Sequence, residues 1–135
     1  MQFTVVTPEG ITYQDNITKA TIPTAGGMIT ILDNHAPLVS VLAAGELILH
    51  KNKEEVLLAM AGGILEIRSN GDAYLLADNA ERAEDIDLER ADKARKRAEE
   101  LLSKKENLLD VDFARIQAKI EREMARISVG KKYRR

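Results

Sequence analysis

The 135-residue chain has no cysteine and no tryptophan, three prolines, and only 4% aromatic residues. Each shortage excludes something. Without cysteine there is no disulfide framework, no thiol nucleophile and no Cys-bearing zinc site, which suits a reducing compartment. With so few aromatics, a base-stacking surface for single-stranded nucleic acid has little to be built from. Long apolar runs are lacking as well. The most apolar stretch, Val56–Leu65, is about half the length that crosses a bilayer and contains two glycines. The opening Met-Gln-Phe-Thr has no basic segment followed by an apolar one and does not read as a secretory signal. A soluble, cytoplasmic chain with at most peripheral membrane association is expected. The net charge of −2 is too small for bulk electrostatics to name a partner.

What is present changes character at Ala80–Arg97. Residues 1–80 carry 4 Lys/Arg against 9 Asp/Glu, and residues 81–135 carry 16 against 13. Before the change, short β-type runs alternate with turn residues: Phe3–Val6, Ile11–Tyr13, Lys19–Ile22, Met28–Leu32, Leu38–Leu42, Glu46–Lys51, Glu55–Met60, Ile64–Ser69 and Tyr74–Ala77. Pro8-Glu9-Gly10 and Asn52-Lys53 mark turns, Gly62-Gly63 separates two runs, and Asn70-Gly71 is a strong hairpin signal. Eight or nine short strands at this spacing indicate an antiparallel sandwich or barrel.

After the change neither glycine nor proline occurs until Gly130. A helix is expected to start near Asp85 or Asp87, whose acids suit a helix N-terminus. Its narrow apolar stripe is Ala91, Ala94, Ala98 and Leu101/Leu102, braced by the pairs Glu89–Lys93, Asp92–Lys96 and Glu100–Lys104. Asn107–Asp110 reads as a link, with Asp110 or Asp112 capping a second helix whose stripe is Phe113, Ile116, Ile120, Met124 and Ile127. So short a link predicts antiparallel pairing. Neither stripe supports a free-standing core, so the hairpin must lean on the β unit or on another protein. The basic tail Gly130–Arg135 reads as frayed. The expected fold is therefore α+β: an N-terminal antiparallel β-sandwich over residues 1–84, then a helical hairpin over 85–135.

Two rows of cations run along this hairpin. Arg90, Lys93 and Arg97 lie along one side of the first helix, and Arg115, Lys119, Arg122 and Arg126 along the second. Folding the hairpin sets position 90 opposite about 127 and 97 opposite about 120. Like charges within a row repel by about 0.2–0.5 kcal/mol per pair. A polyphosphate would neutralise them, since arginine forks match phosphate oxygens. Glu81 and Asp87 can accept hydrogen bonds from a ribose or base, or hold the arginines without ligand. The plainer alternative is a pair of solvated faces, ion-paired to Glu84, Asp87, Glu121 and Glu123. No Gly-rich phosphate loop or dinucleotide fingerprint occurs, so a bound nucleotide would be a signal rather than a fuel. No catalytic residues and no metal ligands emerge. The histidines, His35 and His50, have no evident partners, and His35 sits in the Asp33–Pro37 loop.

Several segments together resemble the ε subunit of the bacterial rotary (F-type) ATP synthase. Phe3–Gly10 is similar to that family's opening strand and turn, and Ile31–Val39 to its Ile-Leu-Pro-x-His-x-Pro-Leu-Val loop, with Asp33 for a usual proline and Thr30 for a usual glycine. Ala61–Ile67 matches its Ser-Gly-Gly-Phe-Leu-Glu-Val run, and Ala80–Asp87 the entry to its helices. The resemblance implies a non-catalytic central-stalk subunit at the cytoplasmic face of the bacterial membrane, bound to γ and to the c-ring through the Asp33, Asn34, His35 loop. It also implies a hairpin that folds down or extends into the α/β hexamer to block hydrolysis. Some members bind ATP through Ile/Leu-Asp-x-x-Arg-Ala, here Ile86-Asp87-Leu88-Glu89-Arg90-Ala91. By resemblance, the regulatory ATP site is Glu81, Ile86, Asp87, Arg90, Ala91, Arg97, Arg122 and Arg126. The rivals are a constitutive scaffold with no nucleotide sensing and, against the interleaved acids, nucleic-acid binding by the basic helices.

Overall fold

The structure, a computed structural model describing residues 1–104 and 109–134, contains eight strands and two long helices. The strands are β1 Gln2–Thr7, β2 Gly10–Asn16, β3 Lys19–Thr24, β4 Gly27–Leu32, β5 Leu38–Val41, β6 Gly45–Lys51, β7 Glu54–Ile67 and β8 Ala73–Arg82. They hydrogen-bond in the order β2-β1-β8-β7-β6-β3-β4, with β5 also on β7. The sheet folds over a single apolar core, because buried inward positions alternate with exposed outward ones along the strands. Leu47 and Leu49 of β6 and Leu65 and Ile67 of β7 are buried there with Phe3, Ile22, Ile31 and Leu75.

Three differences from the sequence reading have physical causes. The runs around 55–60 and 64–69 form one continuous strand, β7. Gly62 and Gly63 bend it rather than end it, at φ of 63° and 130°. A Cβ on Gly63 would collide with the Leu76 carbonyl, so only glycine lets β8 keep its register there. The residues before the bend pair with β6 and those after it with β5, which is how one strand serves both layers. Second, Asn70-Gly71 lies in a longer turn closed by Arg68 N–H to the Asp72 carbonyl at 2.9 Å. That turn still joins an antiparallel hairpin, β7–β8, as expected, and the expected turn at Asn52-Lys53 is a two-residue hairpin, with Asn52 at φ 56° and Lys51 paired to Glu54. Third, β1 pairs with β8 in parallel, because the first and last strands of the sandwich run in the same direction where they meet.

β8 leads through a single 3₁₀ turn, Ala83–Asp85, into α1, Leu88–Lys104. Asp87 caps α1: its Oδ1 accepts the Arg90 N–H at 3.1 Å. Glu89–Lys93 and Asp92–Lys96 pair as expected at 3.4 and 3.2 Å. The Glu100–Lys104 pair is absent, and Arg95 bonds Asp92 at 2.8 Å instead. Most of the expected link, 105–108, lies outside the described residues. Helix α2 spans Asp110–Tyr133 with Leu109 at its cap position, so Asp112 is inside the helix and neither aspartate is the cap.

α2 carries the main contact with the sandwich. Val129 is buried against Ala59, Ala83 and Ile86, Lys132 Nζ bonds Glu46 Oε1 at 2.7 Å, and Arg134 Nη2 donates to the Ile86 carbonyl at 2.6 Å. The tail through Arg134 is therefore anchored rather than frayed; Arg135 lies outside the described residues. The apolar stripe of α2 is also displaced from expectation. Phe113 and Met124 are about half exposed, at 48% and 53%, while Ala125, Val129 and Glu123 are buried. Burying Val129 and Ile86 stabilises docking by about 1.5–3 kcal/mol each.

Candidate functional site: a cationic cleft under the hairpin

Where α1 and α2 run antiparallel over the end of β8, they enclose a cleft of about 640 Å³. From α1 come Arg90, Lys93, Ala94 and Arg97; from α2, Lys119, Arg122, Glu123 and Arg126; from the sandwich, Glu9, Asn79 and Glu81. Six cations thus face three carboxylates, a formal balance of +3. The cations converge because α1 places positions 90, 93 and 97 on one face and α2 does the same with 119, 122 and 126.

Their states differ. Arg126, only 18% exposed at its side chain, is engaged through all three of its guanidinium nitrogens. Its Nε donates to Glu81 Oε2 at 2.7 Å, its Nη2 to Glu81 Oε1 at 3.4 Å, and its Nη1 to Glu123 Oε2 at 2.8 Å. Burial works against its charge, but the hydrogen bonds it donates to Glu81 and Glu123, and their negative charge, outweigh burial and raise its pKa. Arg122 leans on Glu123 Oε1 through Nε at 3.4 Å and Nη2 at 3.3 Å. Lys93 pairs outward with Glu89. Arg90, Arg97 and Lys119 have no ion pair with any described residue. Those three and the outer edge of Arg122 are the guanidinium and ammonium groups open to an anion.

Of the eight residues expected to form this site, the cleft brings together Glu81, Arg90, Arg97, Arg122 and Arg126. The other three do not line it. Ile86 is buried in the small core beneath the hairpin, Asp87 caps α1, and Ala91 is wholly buried. They fix the start of α1 and so the direction in which Arg90 points. Sequence reasoning missed Asn79 and Glu9, which only the tertiary fold brings in, and took Glu123 for a surface partner. Glu123 falls at the core phase of α2, three residues after Ile120 and four before Ile127, and that phase was the available signal.

The Asp33–His35 loop is elsewhere. Its Asp33 and Asn34 line, with the β6–β7 and β7–β8 turns, a hollow of about 550 Å³ that His35 does not line, whereas Glu46, which holds the hairpin, is at the other end of β6. Asp33 Oδ1 accepts from the Met1 amino group at 2.6 Å, Asn34 has φ 65°, and His35 Nδ1 donates to the Ala36 carbonyl at 2.7 Å. Among the described residues no cluster of three metal-ligating side chains occurs, and no helix is long and apolar enough to cross a membrane.

One further surface stands out. Register sets Val41 beside Ile64, Ile64 beside Leu76, Leu76 beside Val6, and Val6 beside Ile11. Val41, Ile64, Leu76 and Ile11 are 62%, 46%, 50% and 62% exposed, making an apolar row across four neighbouring strand pairs.

An eight-stranded β-sandwich followed by a helical hairpin is the class of architecture that the fold defines. Two family models cover nearly the whole chain: the ATP synthase delta/epsilon chain beta-sandwich domain over residues 1–83 and its long alpha-helix domain over 84–131. The chain belongs to the ATP synthase delta/epsilon family. Among its relatives are the ATP synthase epsilon chains of Pediococcus pentosaceus, 37% identical over 94% of this chain and 92% of that one, and of Dehalococcoides mccartyi, 37% identical over 100% and 95%. The fold is shared with a chain of the Euglena gracilis mitochondrial ATP synthase OSCP/F1/c-ring structure (TM-score 0.72, 23% identity, covering 93% of this chain and 77% of that one).

Proposed function

We propose that this chain is a central-stalk subunit at the cytoplasmic face of a bacterial membrane that couples γ to the c-ring. In this reading it restrains ATP hydrolysis through a hairpin whose closed form ATP favours. The observation that carries the regulatory part is the cleft: Arg90, Arg97, Lys119 and Arg122 converge with open hydrogen-bonding faces in a volume typical of small-molecule sites, about 300–1,000 Å³. These four would take the phosphates, with Glu81 and Asn79 within reach of ribose or base. The docking part rests on the Val41–Ile64–Leu76–Ile11 row, which suits γ, and on the polar Asp33–His35 loop for the c-ring.

ATP stabilises the closed hairpin only by as much as it prefers that form to the extended one. Released arms would expose Val129, Ala91 and Ala98 to γ and the α/β hexamer. Titrating ATP into the full chain should give saturable binding and a shorter distance between labels on α1 and α2. Arg97→Ala and Arg122→Ala should each weaken binding about tenfold, the order of one lost charge-assisted contact. Binding unchanged in both variants would remove the nucleotide site.

A second reading, the constitutive scaffold, has its own support. The contacts Arg126–Glu81, Lys132–Glu46 and Arg134 with the Ile86 carbonyl close the hairpin from within. Equal label distances with and without ATP would favour it.

A further inference from the structure

Glu123 is the most enclosed charged side chain of the cleft, 2% exposed, on the wall between Arg122 and Arg126. A buried carboxylate is costly unless it is paired and hydrogen-bonded. Its two oxygens are divided unequally. Oε2 makes a short bond of 2.8 Å to Arg126 Nη1, and Oε1 makes two long ones, 3.4 and 3.3 Å, to Arg122 Nε and Nη2. Arg126 is further fixed by Glu81. One guanidinium is thus locked between two carboxylates, while the other rests loosely on the back of the same group and faces the cleft.

We propose that Glu123 is a resident anion that competes with the phosphate ligand for Arg122 and thereby sets the affinity and selectivity of the cleft. On binding, Arg122 exchanges its long contacts with Oε1 for phosphate oxygens, while Arg126 stays on Glu81 and Glu123 and takes no phosphate. Glu123 is therefore a positioning residue. Its negative charge lowers affinity for short anions, which cannot also reach Arg90 and Arg97, and leaves the cleft selective for a chain of phosphates. This inference rests on the cleft being an anion site.

The test is calorimetric titration of the full chain with sodium tripolyphosphate and with inorganic phosphate, in wild type and Glu123→Gln. The same samples are followed by the arginine Nε–H signals in NMR. Glu123→Gln should bind tripolyphosphate about tenfold tighter, the order for removing one unit charge a few ångströms from an anion after screening. Its preference for tripolyphosphate over phosphate should narrow. In wild type the Arg122 Nε–H should shift on titration and that of Arg126 should not. A closed Glu123→Gln that binds no tighter, or an Arg126 signal that moves instead of Arg122, would overturn the proposal. Should the variant open the hairpin, reclosure by tripolyphosphate supports the proposal, since an external anion then replaces the carboxylate, and failure to reclose overturns it. Wild type that binds neither tripolyphosphate nor ATP removes the anion-site reading itself, whereas binding by wild type with no gain in Glu123→Gln removes only the role of Glu123.

Discussion

Arg126 shows how one side chain can hold an element. It links α2 to β8 through Glu81 and satisfies the buried Glu123 within its own helix. Taking away one partner of a buried ion cluster leaves the remaining charge without compensation, which for fully buried pairs costs about 3–5 kcal/mol. Arg126 is 18% exposed and Glu123 keeps its weak contact with Arg122, so a smaller effect follows. Arg126→Ala should destabilise the docked hairpin by about 2–3 kcal/mol, read as label separation and as an earlier loss of helical signal on heating. Arg126→Lys, which keeps the charge but loses the fork, should fall between. An Arg126→Ala hairpin as closed and as stable as wild type would show that the triad holds nothing. The cations of the cleft were legible in the sequence because side chains three and four apart share a helix face whatever the tertiary fold does. Glu9 and Asn79 were not, since they reach the cleft only through the pairing of β1 and β8.

At the scale of elements, close approach governs the hairpin. Gly130 sits inside α2, where a glycine costs about 1 kcal/mol of helix propensity relative to alanine. Its place is explained by packing. A Cβ there would lie 2.7 Å from Leu88 Cδ2 and 3.2 Å from Ile86 Cγ2. Leu88 can swing aside, but Ile86 is buried among Ala59, Ala83 and Val129 and cannot. Overpacking of this kind costs about 1–3 kcal/mol, more than the propensity gained. Gly130→Ala should therefore keep or raise helicity while shifting the arms apart; a variant that closes more tightly would contradict the packing account. The same element shows where sequence patterning misleads. Periodicity identified α2 as a helix, yet chose Met124 for the core. The apolar face of a helix docked on two surfaces at once, α1 and the β6–β7 face, is split, and Glu123 rather than Met124 turns inward. Likewise, Gly62-Gly63 reads as a break in any strand pattern, and only the close passage of β8 explains why a strand continues through it.

Across the whole molecule, two apolar clusters of unequal size divide the stability. The sandwich core joins residues from all of β1 to β8. The second cluster is only Ala59, Ala83, Ile86 and Val129 with Leu57 and Leu88 beside it, and polar contacts at Glu81, Glu46 and Ile86 make up the rest of the docking. Free energies of local opening follow buried apolar area, so the arms should part in molecules whose sandwich stays intact. Native-state hydrogen exchange should then show α1 and α2 amides opening together, well below the free energy that protects Leu47, Leu49, Leu65 and Leu75 in β6, β7 and β8. Saturating ATP should raise helical protection and leave the strands unchanged, because a ligand stabilises only the opening that destroys its site. Helices protected as strongly as the strands, before any nucleotide is added, would mean that the arms and the sandwich unfold as one unit. In that case the cationic cleft could bind ATP without ever releasing the hairpin.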